Sequence, residues 1–351
     1  MLTIPAVLLL ALLAWASLPV TAALALAIDL VQRLRGRRSA WLRTLLLVAW
    51  VLACEVAGLL IAASLWLARP LLRADHDRWL AWNYALQHRW NAALFGAMQR
   101  LHRVRYEIDG AELLERGGYL LLPRHGSGLD YALPIVLAGV PHRRRIRYVL
   151  KAAMRRDPCL DVVGGRIPNA FVEPGQGRRE QQEREVAALT VALGDDDAIN
   201  IYPEGARYSP RARERQLEQL AASGDPLALA RAHSLQRTLL PRSGAVTAIV
   251  RAAPQLDVVL LAHHGLERVN AFADLVGGAL LDLRVRVCLW RIPAAEIARD
   301  DCDAWLFEQW SRLDAWLLAQ ESQPTAADAS SSSAVRTSAS SSGSSASIRR
   351  G

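Results

Sequence analysis

The sequence predicts an α/β fold class, with a mixed, largely parallel sheet flanked by helices and preceded by a pair of membrane helices. Two apolar runs open the chain, at residues 5–31 and 44–68. Each is longer than the roughly 20 residues that a helix needs to cross a bilayer. From residue 104 onward, short apolar runs alternate with stretches of helical periodicity, and this alternation is typical of an α/β sheet.

Residues 1–70 are expected to form a membrane helix hairpin. The segment between the apolar runs, residues 33–38, is rich in arginine and should stay cytoplasmic by the positive-inside rule. Arg69 and Arg73, after the second run, favour the opposite orientation. A shallow hairpin that enters only one leaflet would place both groups of arginines at the headgroups on the same side of the membrane. Two buried helices of a soluble core are the alternative.

Residues 71–103 are expected to form an amphipathic interfacial helix. Trp79, Trp82, Leu86 and Trp90 recur at helical spacing between polar residues. The tryptophans suit the headgroup region of a membrane. Packing of the same stripe against the globular core is the alternative that the pattern leaves open.

Residues 104–321 should form the α/β domain, and residues 322–351, dominated by serine and alanine, should form a disordered tail. The predicted strands are residues 119–122, 146–150, 170–173, 198–202, 246–250, 258–262 and 284–290. The predicted helices are residues 131–140, 178–193, 226–237 and 304–320. We expect the functional site in loops at the carboxyl ends of the strands.

Composition narrows the class of partner. The formal net charge is +8, and arginine supplies almost all of the positive charge, since Lys151 is the one lysine. This balance suits anionic lipid headgroups or phosphorylated substrates. Nucleic acid is not expected, because no recognised binding motif accompanies the charge. The four cysteines lack metal-ligand or CxxC spacing, which favours a reduced compartment with no structural disulfide.

The stretch His125-Gly-Ser-Gly-Leu-Asp130 follows the apolar strand at residues 119–122. On a regular helix residues five apart point in different directions, so His125 and Asp130 can meet only across a turn, which the glycines allow. The aspartate would then bind one ring nitrogen and leave the other free as a general base. A helix-capping aspartate in an ordinary loop is the alternative.

A second strand, residues 198–202, also ends in a polar turn, Tyr-Pro-Glu204-Gly205-Ala-Arg207. Gly205 would let a ligand approach the backbone, and Arg207 could hold a phosphate through paired hydrogen bonds. Glu204 could accept a substrate hydroxyl or orient the arginine. A surface salt bridge on a turn is the alternative.

Together, the two blocks resemble those of the 1-acylglycerol-3-phosphate acyltransferases, also called lysophosphatidic acid acyltransferases, and their glycerolipid relatives. In that family the first block reads Asn-His-x4-Asp and the third reads Phe-Pro-Glu-Gly-Thr-Arg. The resemblance covers about residues 70–320. It includes Leu-Leu-Pro-Arg-Ser-Gly at residues 239–244, which looks like a later block that precedes a strand.

The resemblance implies an O-acyltransferase that moves a fatty acyl group from acyl-CoA or acyl carrier protein to a lysophospholipid, most simply 1-acylglycerol-3-phosphate. It implies His125 as the general base and Asp130 as the carboxylate that orients the ring. Glu204, Gly205, Arg207 and Arg242 would bind the acceptor. Backbone amides at residues 126–128 could hold the oxyanion. No metal or other cofactor is implied, and the expected location is the bacterial inner membrane, with the catalytic domain facing the cytoplasm.

Two departures from the family pattern concern substrate binding. Arg124 stands where the family has asparagine. In the second block the family places an arginine shortly after a phenylalanine, whereas Phe171 here is followed by Val-Glu-Pro. The nearest arginines are Arg166, Arg178 and Arg179. Another lipid acceptor, hydrolysis of the thioester by water, and binding without turnover are therefore alternatives.

Overall fold

The computed structural model describes residues 3–173 and 179–322. The predicted disordered tail, from residue 323 onward, lies outside these residues. The helices are α1 (Thr3–Leu34), α2 (Trp41–Leu71), α3 (His76–His102), α4 (Val140–His142), α5 (Pro158–Gly164), α6 (Arg179–Ala187), α7 (Pro210–Ser223), α8 (Pro226–Ser234), α9 (Gly244–Ala252), α10 (Phe272–Val276) and α11 (Cys302–Glu321). The strands are β1 (Arg105–Asp109), β2 (Tyr119–Pro123), β3 (Arg145–Lys151), β4 (Ala170–Val172), β5 (Asp197–Asn200), β6 (Asp257–His264) and β7 (Arg284–Ile292).

The strands form one mixed sheet in the order β1-β7-β6-β2-β5-β3-β4. All neighbouring pairs run parallel except β6 and β7, which are antiparallel. Buried apolar side chains cover both faces of the sheet and pack against helices, so β2 reads as a continuous apolar run. The predicted fold class is confirmed. The carboxyl ends of β2, β5 and β6 lie side by side at one edge.

Three local predictions were wrong. Residues 246–250 lie in helix α9, where Val246, Ile249 and Val250 point into the core at helical spacing. The block at residues 239–244 therefore precedes a helix. The expected helix at 131–140 is a succession of tighter and wider turns, with a 3-10 turn at Asp130–Ala132 and a π-helix at Ile135–Gly139. Strand β1 was missed.

Helices α1 and α2 form an antiparallel hairpin, and both are long and apolar enough to cross a membrane. At its tip the Asp29 carboxylate accepts hydrogen bonds from the backbone amides of Trp41 (2.9 Å) and Leu42 (3.0 Å), and so caps the start of α2. Along the hairpin, the Trp15 indole donates to the carbonyl of Ala49. About two thirds of the side chains of α1 are exposed, including most of its leucines, and only Ala11 and Ala25 are buried.

Helix α2 contacts the α/β domain from its start to its last turn. The Ala40 amide, just before α2, donates to the carbonyl of Val276, and the Trp50 indole donates to the carbonyl of Ala93 on α3. At Gly58 the helix touches α5 so closely that an added Cβ would lie 2.6 Å from a thiol there. Near its end, Arg69 lies 4.9 Å from the Trp79 ring centroid. A helix of this length spans about 46 Å, and the domain lies beside all of it.

Helix α3 is covered by protein along its tryptophan stripe. Trp79 and Leu86 are buried, and Phe95 and Met98 belong to the core beneath the sheet. The guanidinium of Arg166 lies over the second side of the Trp79 ring. This packing agrees with the alternative that the sequence left open, in which the stripe lies against the globular core.

Candidate active site

The candidate site lies at the edge of the sheet where β2, β5 and β6 end. Pro123, the last residue of β2, lies opposite Leu261 of β6, and Leu121 lies opposite Asn200 at the end of β5. The histidine block follows β2 and the Glu-Gly-Ala-Arg turn follows β5. The parallel register therefore brings two blocks that are about 80 residues apart in the sequence to one place.

His125 and Asp130 meet across the glycine turn as the sequence predicts. His125 Nδ1 lies 3.0 Å from Asp130 Oδ1 and 3.2 Å from Oδ2. The Asp130 side chain is fully buried, whereas a quarter of the His125 side chain is exposed. Because Nδ1 faces the carboxylate, it carries the proton in the neutral ring, and Nε2 is left unprotonated with access to solvent. The pair therefore has the arrangement of a general base and its orienting carboxylate.

Asp130 accepts hydrogen bonds from the backbone as well. The amides of Gly126 (2.7 Å) and Ser127 (2.8 Å) both donate to Oδ2. Burial alone would raise the pKa of Asp130, but hydrogen bonds from histidine side chains outweigh it and hold the pKa well below its usual range. These two amides bind Asp130 and are not free for an oxyanion, so of the expected amides at residues 126–128 only that of Gly128 stays a candidate.

Tyr202 fixes the histidine ring from the β5 side. Its ring centroid lies 4.8 Å from that of His125, and its hydroxyl donates to the backbone carbonyl of Asp130 at 3.0 Å. Burial raises the pKa of the Tyr202 phenol well above its ordinary value, so the hydroxyl stays protonated and remains a donor.

Glu204 binds two backbone amides. Its Oε1 accepts from the amide of His125 at 2.8 Å, and its Oε2 accepts from the amide of Leu239 at 2.9 Å. The residue is almost fully buried, and burial raises its pKa to about 7. Glu204 thus links the histidine turn to the loop before α9. This geometry corrects the expectation that its carboxylate faces the substrate.

Arg124 lies beneath the histidine turn with its side chain buried. Its guanidinium donates to the carbonyl of His263 (2.8 Å) and forms an ion pair with Glu267 (3.3 Å). A Cβ atom on Gly126 would lie 2.9 Å from this guanidinium, so the turn needs glycine there for close packing. The arginine in place of the family's asparagine is therefore a buried scaffold of the turn.

Arg207 and Arg242 present exposed guanidinium groups beside the site. A Cβ on Gly128 would lie 3.2 Å from Arg207 Nη1, and one on Gly205 would lie 3.5 Å from Arg242 Cζ. Gly205 has φ +65°, a backbone conformation that favours glycine. Neither guanidinium forms a hydrogen bond or ion pair with the residues that the structure describes. Two uncompensated cations beside an exposed imidazole make a suitable site for an anion.

Of the three arginines nearest the second block, the one whose side chain the structure describes is engaged away from the site. Arg166 donates to the carbonyl of Ala62 in α2 at 2.8 Å and stacks on Trp79, so it holds the helix hairpin. Arg178 and the side chain of Arg179 lie outside the described part of the chain.

Comparison with known proteins fits this geometry. A family model described as acyltransferase matches residues 105–262, the segment that contains both blocks. This chain carries an acyltransferase domain. The resemblance seen in the sequence is thus confirmed for the family, and the family supports O-acyltransferase chemistry.

Among solved structures, the 1-acyl-sn-glycerophosphate (LPA) acyltransferase PlsC from Thermotoga maritima is similar to 78% of this chain. The likeness covers 99% of that protein at 10% sequence identity, with a TM-score of 0.42. No curated protein sequence matches the chain.

One residue at the candidate site is found only in the structure. His263, near the end of β6, is fully buried, and its Nε2 lies 3.3 Å from Asp130 Oδ2. The order β6-β2 in the sheet places it there, and the sequence carries no signal of that order. Within the described ranges, no group of three or more His, Cys, Asp or Glu side chains is arranged to hold a metal ion.

Proposed function

We propose that this chain is a membrane-bound O-acyltransferase that transfers a fatty acyl group from acyl-CoA or acyl carrier protein to the free hydroxyl of 1-acylglycerol-3-phosphate, forming phosphatidic acid. The observation that carries the proposal is the His125–Asp130 pair with Nε2 turned to solvent, beside two unpartnered guanidinium groups in an acyltransferase domain.

In the proposed mechanism, His125 Nε2 takes the proton of the acceptor hydroxyl as its oxygen attacks the thioester carbonyl. Asp130 stabilises the imidazolium that forms and keeps the ring in its tautomer. Collapse of the tetrahedral intermediate breaks the carbon–sulfur bond, and the imidazolium returns its proton to the leaving thiolate. The products are an ester and a free thiol, and no acyl-enzyme forms.

The phosphate of the acceptor is proposed to bind Arg207 and Arg242. Arg207 reaches the glycine turn that bears His125, so a phosphate there would hold the neighbouring hydroxyl near Nε2. Gly205 would serve by letting Arg242 lie against the backbone. Glu204 would act indirectly, by fixing the His125 amide.

An apolar cavity lies at the residue that follows Asp130, and its free volume of about 30 Å³ must widen before a hydrocarbon chain can enter. It is lined by Leu86 and Trp90 of α3, by Val163 of α5, and by Tyr131 and Ile135. Tyr131 directly follows Asp130, so the cavity begins beside the reacting groups. We propose that a fatty acyl chain of the substrates lies here.

The helix hairpin is proposed to lie along one leaflet of the bacterial inner membrane. Helix α2 cannot cross a bilayer without carrying the domain with it, because the domain contacts it from Ala40 to Arg69. The exposed side chains of α1 would face lipid. Side-specific reporters inserted after residue 36 and fused after residue 321 should both report the cytoplasm. A periplasmic signal at residue 36 would show that the hairpin crosses the membrane.

An acceptor panel tests the reaction. Purified protein in detergent should form phosphatidic acid from labelled acyl-CoA and 1-acylglycerol-3-phosphate, with thiol release that depends on the acceptor. Preference for a lysophospholipid with a zwitterionic headgroup would overturn the proposed acceptor while keeping the chemistry. Free fatty acid release without an acceptor would identify a hydrolase instead.

A further inference from the structure

We infer that His263 is a positioning residue of this site, which holds the Asp130 carboxylate from the side opposite His125 and thereby sets the basicity of His125. The inference rests on the proposed function of the His125–Asp130 pair. Its geometric basis is a carboxylate that lies between two imidazoles, with hydrogen-bond distances of 3.0 Å to His125 Nδ1 and 3.3 Å to His263 Nε2.

The placement of His263 is fixed by the fold. It lies two residues beyond the position where β6 pairs with Pro123, at the level of the histidine turn. Its side chain is fully buried, and its Nε2 also lies 3.2 Å from the backbone carbonyl of Arg124. Both of these neighbours, a carboxylate and a carbonyl oxygen, are acceptors, so Nε2 carries a proton. Nδ1 has no hydrogen-bond partner among the described residues.

The charged surroundings of His263 are limited. From the β2 side it faces Asp130 and the buried Arg124, and from the turn after its own strand it faces Glu267. Its partner on the antiparallel strand β7 is Val287, which is uncharged. The guanidinium of Arg124 disfavours a second positive charge on the buried imidazole. The carboxylates of Asp130 and Glu267 act in the opposite direction, and Nε2 donates to Asp130 whichever effect is larger.

A donor in this position has a defined chemical effect. Asp130 must stay ionised while His125 gains and returns a proton. A hydrogen bond from His263 draws part of the negative charge away from His125, which makes the imidazolium less stable and a better acid toward the leaving thiolate. Its Nε2 binds the same oxygen, Oδ2, as the backbone amides of Gly126 and Ser127, so Oδ2 accepts three hydrogen bonds while Oδ1 faces His125.

Two variants of His263 distinguish its hydrogen bond to Asp130 from its contribution to packing. His263→Leu removes the donor, whereas His263→Gln retains an N–H group close to the position of Nε2. His102→Leu is a matched control, because His102 is also fully buried, at the end of α3, and none of the hydrogen bonds to Asp130 in the described part of the chain comes from it. Thermal unfolding of all three variants reports the loss of packing common to any buried histidine.

The primary measurement is the titration of His125, followed by imidazole ¹⁵N NMR in the full-length protein. We expect His263→Leu to move the ¹⁵N titration curve of His125 to higher pH, because the unshared carboxylate holds the imidazolium more strongly. His263→Gln should restore most of the wild-type value, and His102→Leu should leave it unchanged. An unchanged titration in His263→Leu would overturn the inference, and so would a shift of the same size in His102→Leu.

Kinetics provide the second arm. His263→Leu should lower kcat about tenfold, the effect of losing one hydrogen bond to a charged group, with both KM values unchanged. The acid limb of its rate profile should move to higher pH. Because the NMR titration needs no turnover, a protein that fails to transfer acyl groups would refute the proposed function while still testing the role of His263. Equal losses in the leucine and glutamine variants, without a shifted limb, would contradict the inference.

Discussion

Replacing Glu204 by glutamine tests whether this residue holds the site together or binds substrate. Each carboxylate oxygen accepts one backbone amide, from His125 at 2.8 Å and from Leu239 at 2.9 Å. At pH 5 the buried Glu204 is a neutral acid, whose carbonyl oxygen accepts one amide while its hydroxyl oxygen can still accept the other. Glutamine offers a carbonyl oxygen to one amide but sets an NH₂ group, which cannot accept, against the other. A buried donor left without an acceptor costs about 1–3 kcal/mol. We expect Glu204→Gln to be less stable than the wild type by this amount at pH 5.

The difference should depend on pH. Burial raises the pKa of Glu204 from 4.5 to about 7. Because the folded-state pKa is above the unfolded value, the stabilisation is complete below pH 4.5 and is lost as the pH rises to about 7. At about 1.4 kcal/mol per unit, the loss is on the order of 3 kcal/mol. Glutamine does not titrate, so the deficit of the variant should shrink and vanish by about pH 8.

The assay is denaturant unfolding in detergent between pH 5 and pH 8, followed by tryptophan fluorescence. Glu296→Gln, at an exposed glutamate, is the control and should follow the wild type at every pH. If the free energies of unfolding of the wild type and of Glu204→Gln differ by the same amount at every pH in this range, the reasoning is refuted. The acceptor KM of Glu204→Gln shows whether Glu204 also binds the substrate. A positioning role predicts an unchanged KM, and a large rise would restore Glu204 as a substrate ligand.

Three further predictions concern close contacts and charge. Gly126→Ala should lose about 1–3 kcal/mol of stability and at least about tenfold in turnover, since its Cβ would lie 2.9 Å from the buried Arg124 guanidinium; normal thermal unfolding and kcat would contradict this. Arg207→Ala should raise the acceptor KM about tenfold and leave the donor KM unchanged. If the exposed control Arg215→Ala raised the acceptor KM by the same factor, the effect would not come from a specific site. Gly58→Leu should lower the unfolding temperature by roughly 5 °C, because a Cβ there meets a thiol of α5 at 2.6 Å; an unchanged midpoint would show that α2 does not depend on this contact.

Much of the fold could be predicted from the sequence because the central strands are buried on both faces. Strand β2 is a continuous apolar run between polar residues, and its prediction at residues 119–122 differs from the structure by one residue. Strand β1 lies at the edge of the sheet, where most of its side chains are exposed, so it lacks this signal. Helix α9 was assigned as a strand because β-branched residues are frequent in it, although its buried positions follow the helical period.

The candidate site was predictable where its residues are close in sequence. His125 and Asp130 share one turn, and glycines mark that turn directly. The part played by Glu204 was misjudged because its partners are backbone amides, which carry no sequence signature. His263 depends on the sheet order, in which β6 lies next to β2 although well over 100 residues separate them in the chain. Such pairing is a property of the fold as a whole.

The role of His125 is tested most directly by single-turnover acyl transfer from labelled acyl-CoA to 1-acylglycerol-3-phosphate with His125→Ala, verified as folded by thermal unfolding. General-base catalysis contributes about 10²–10⁴ in rate, so the variant should lose at least about a hundredfold while still binding the thioester. Phosphatidic acid formed at the wild-type rate would contradict His125 as the base and, with it, the proposed mechanism.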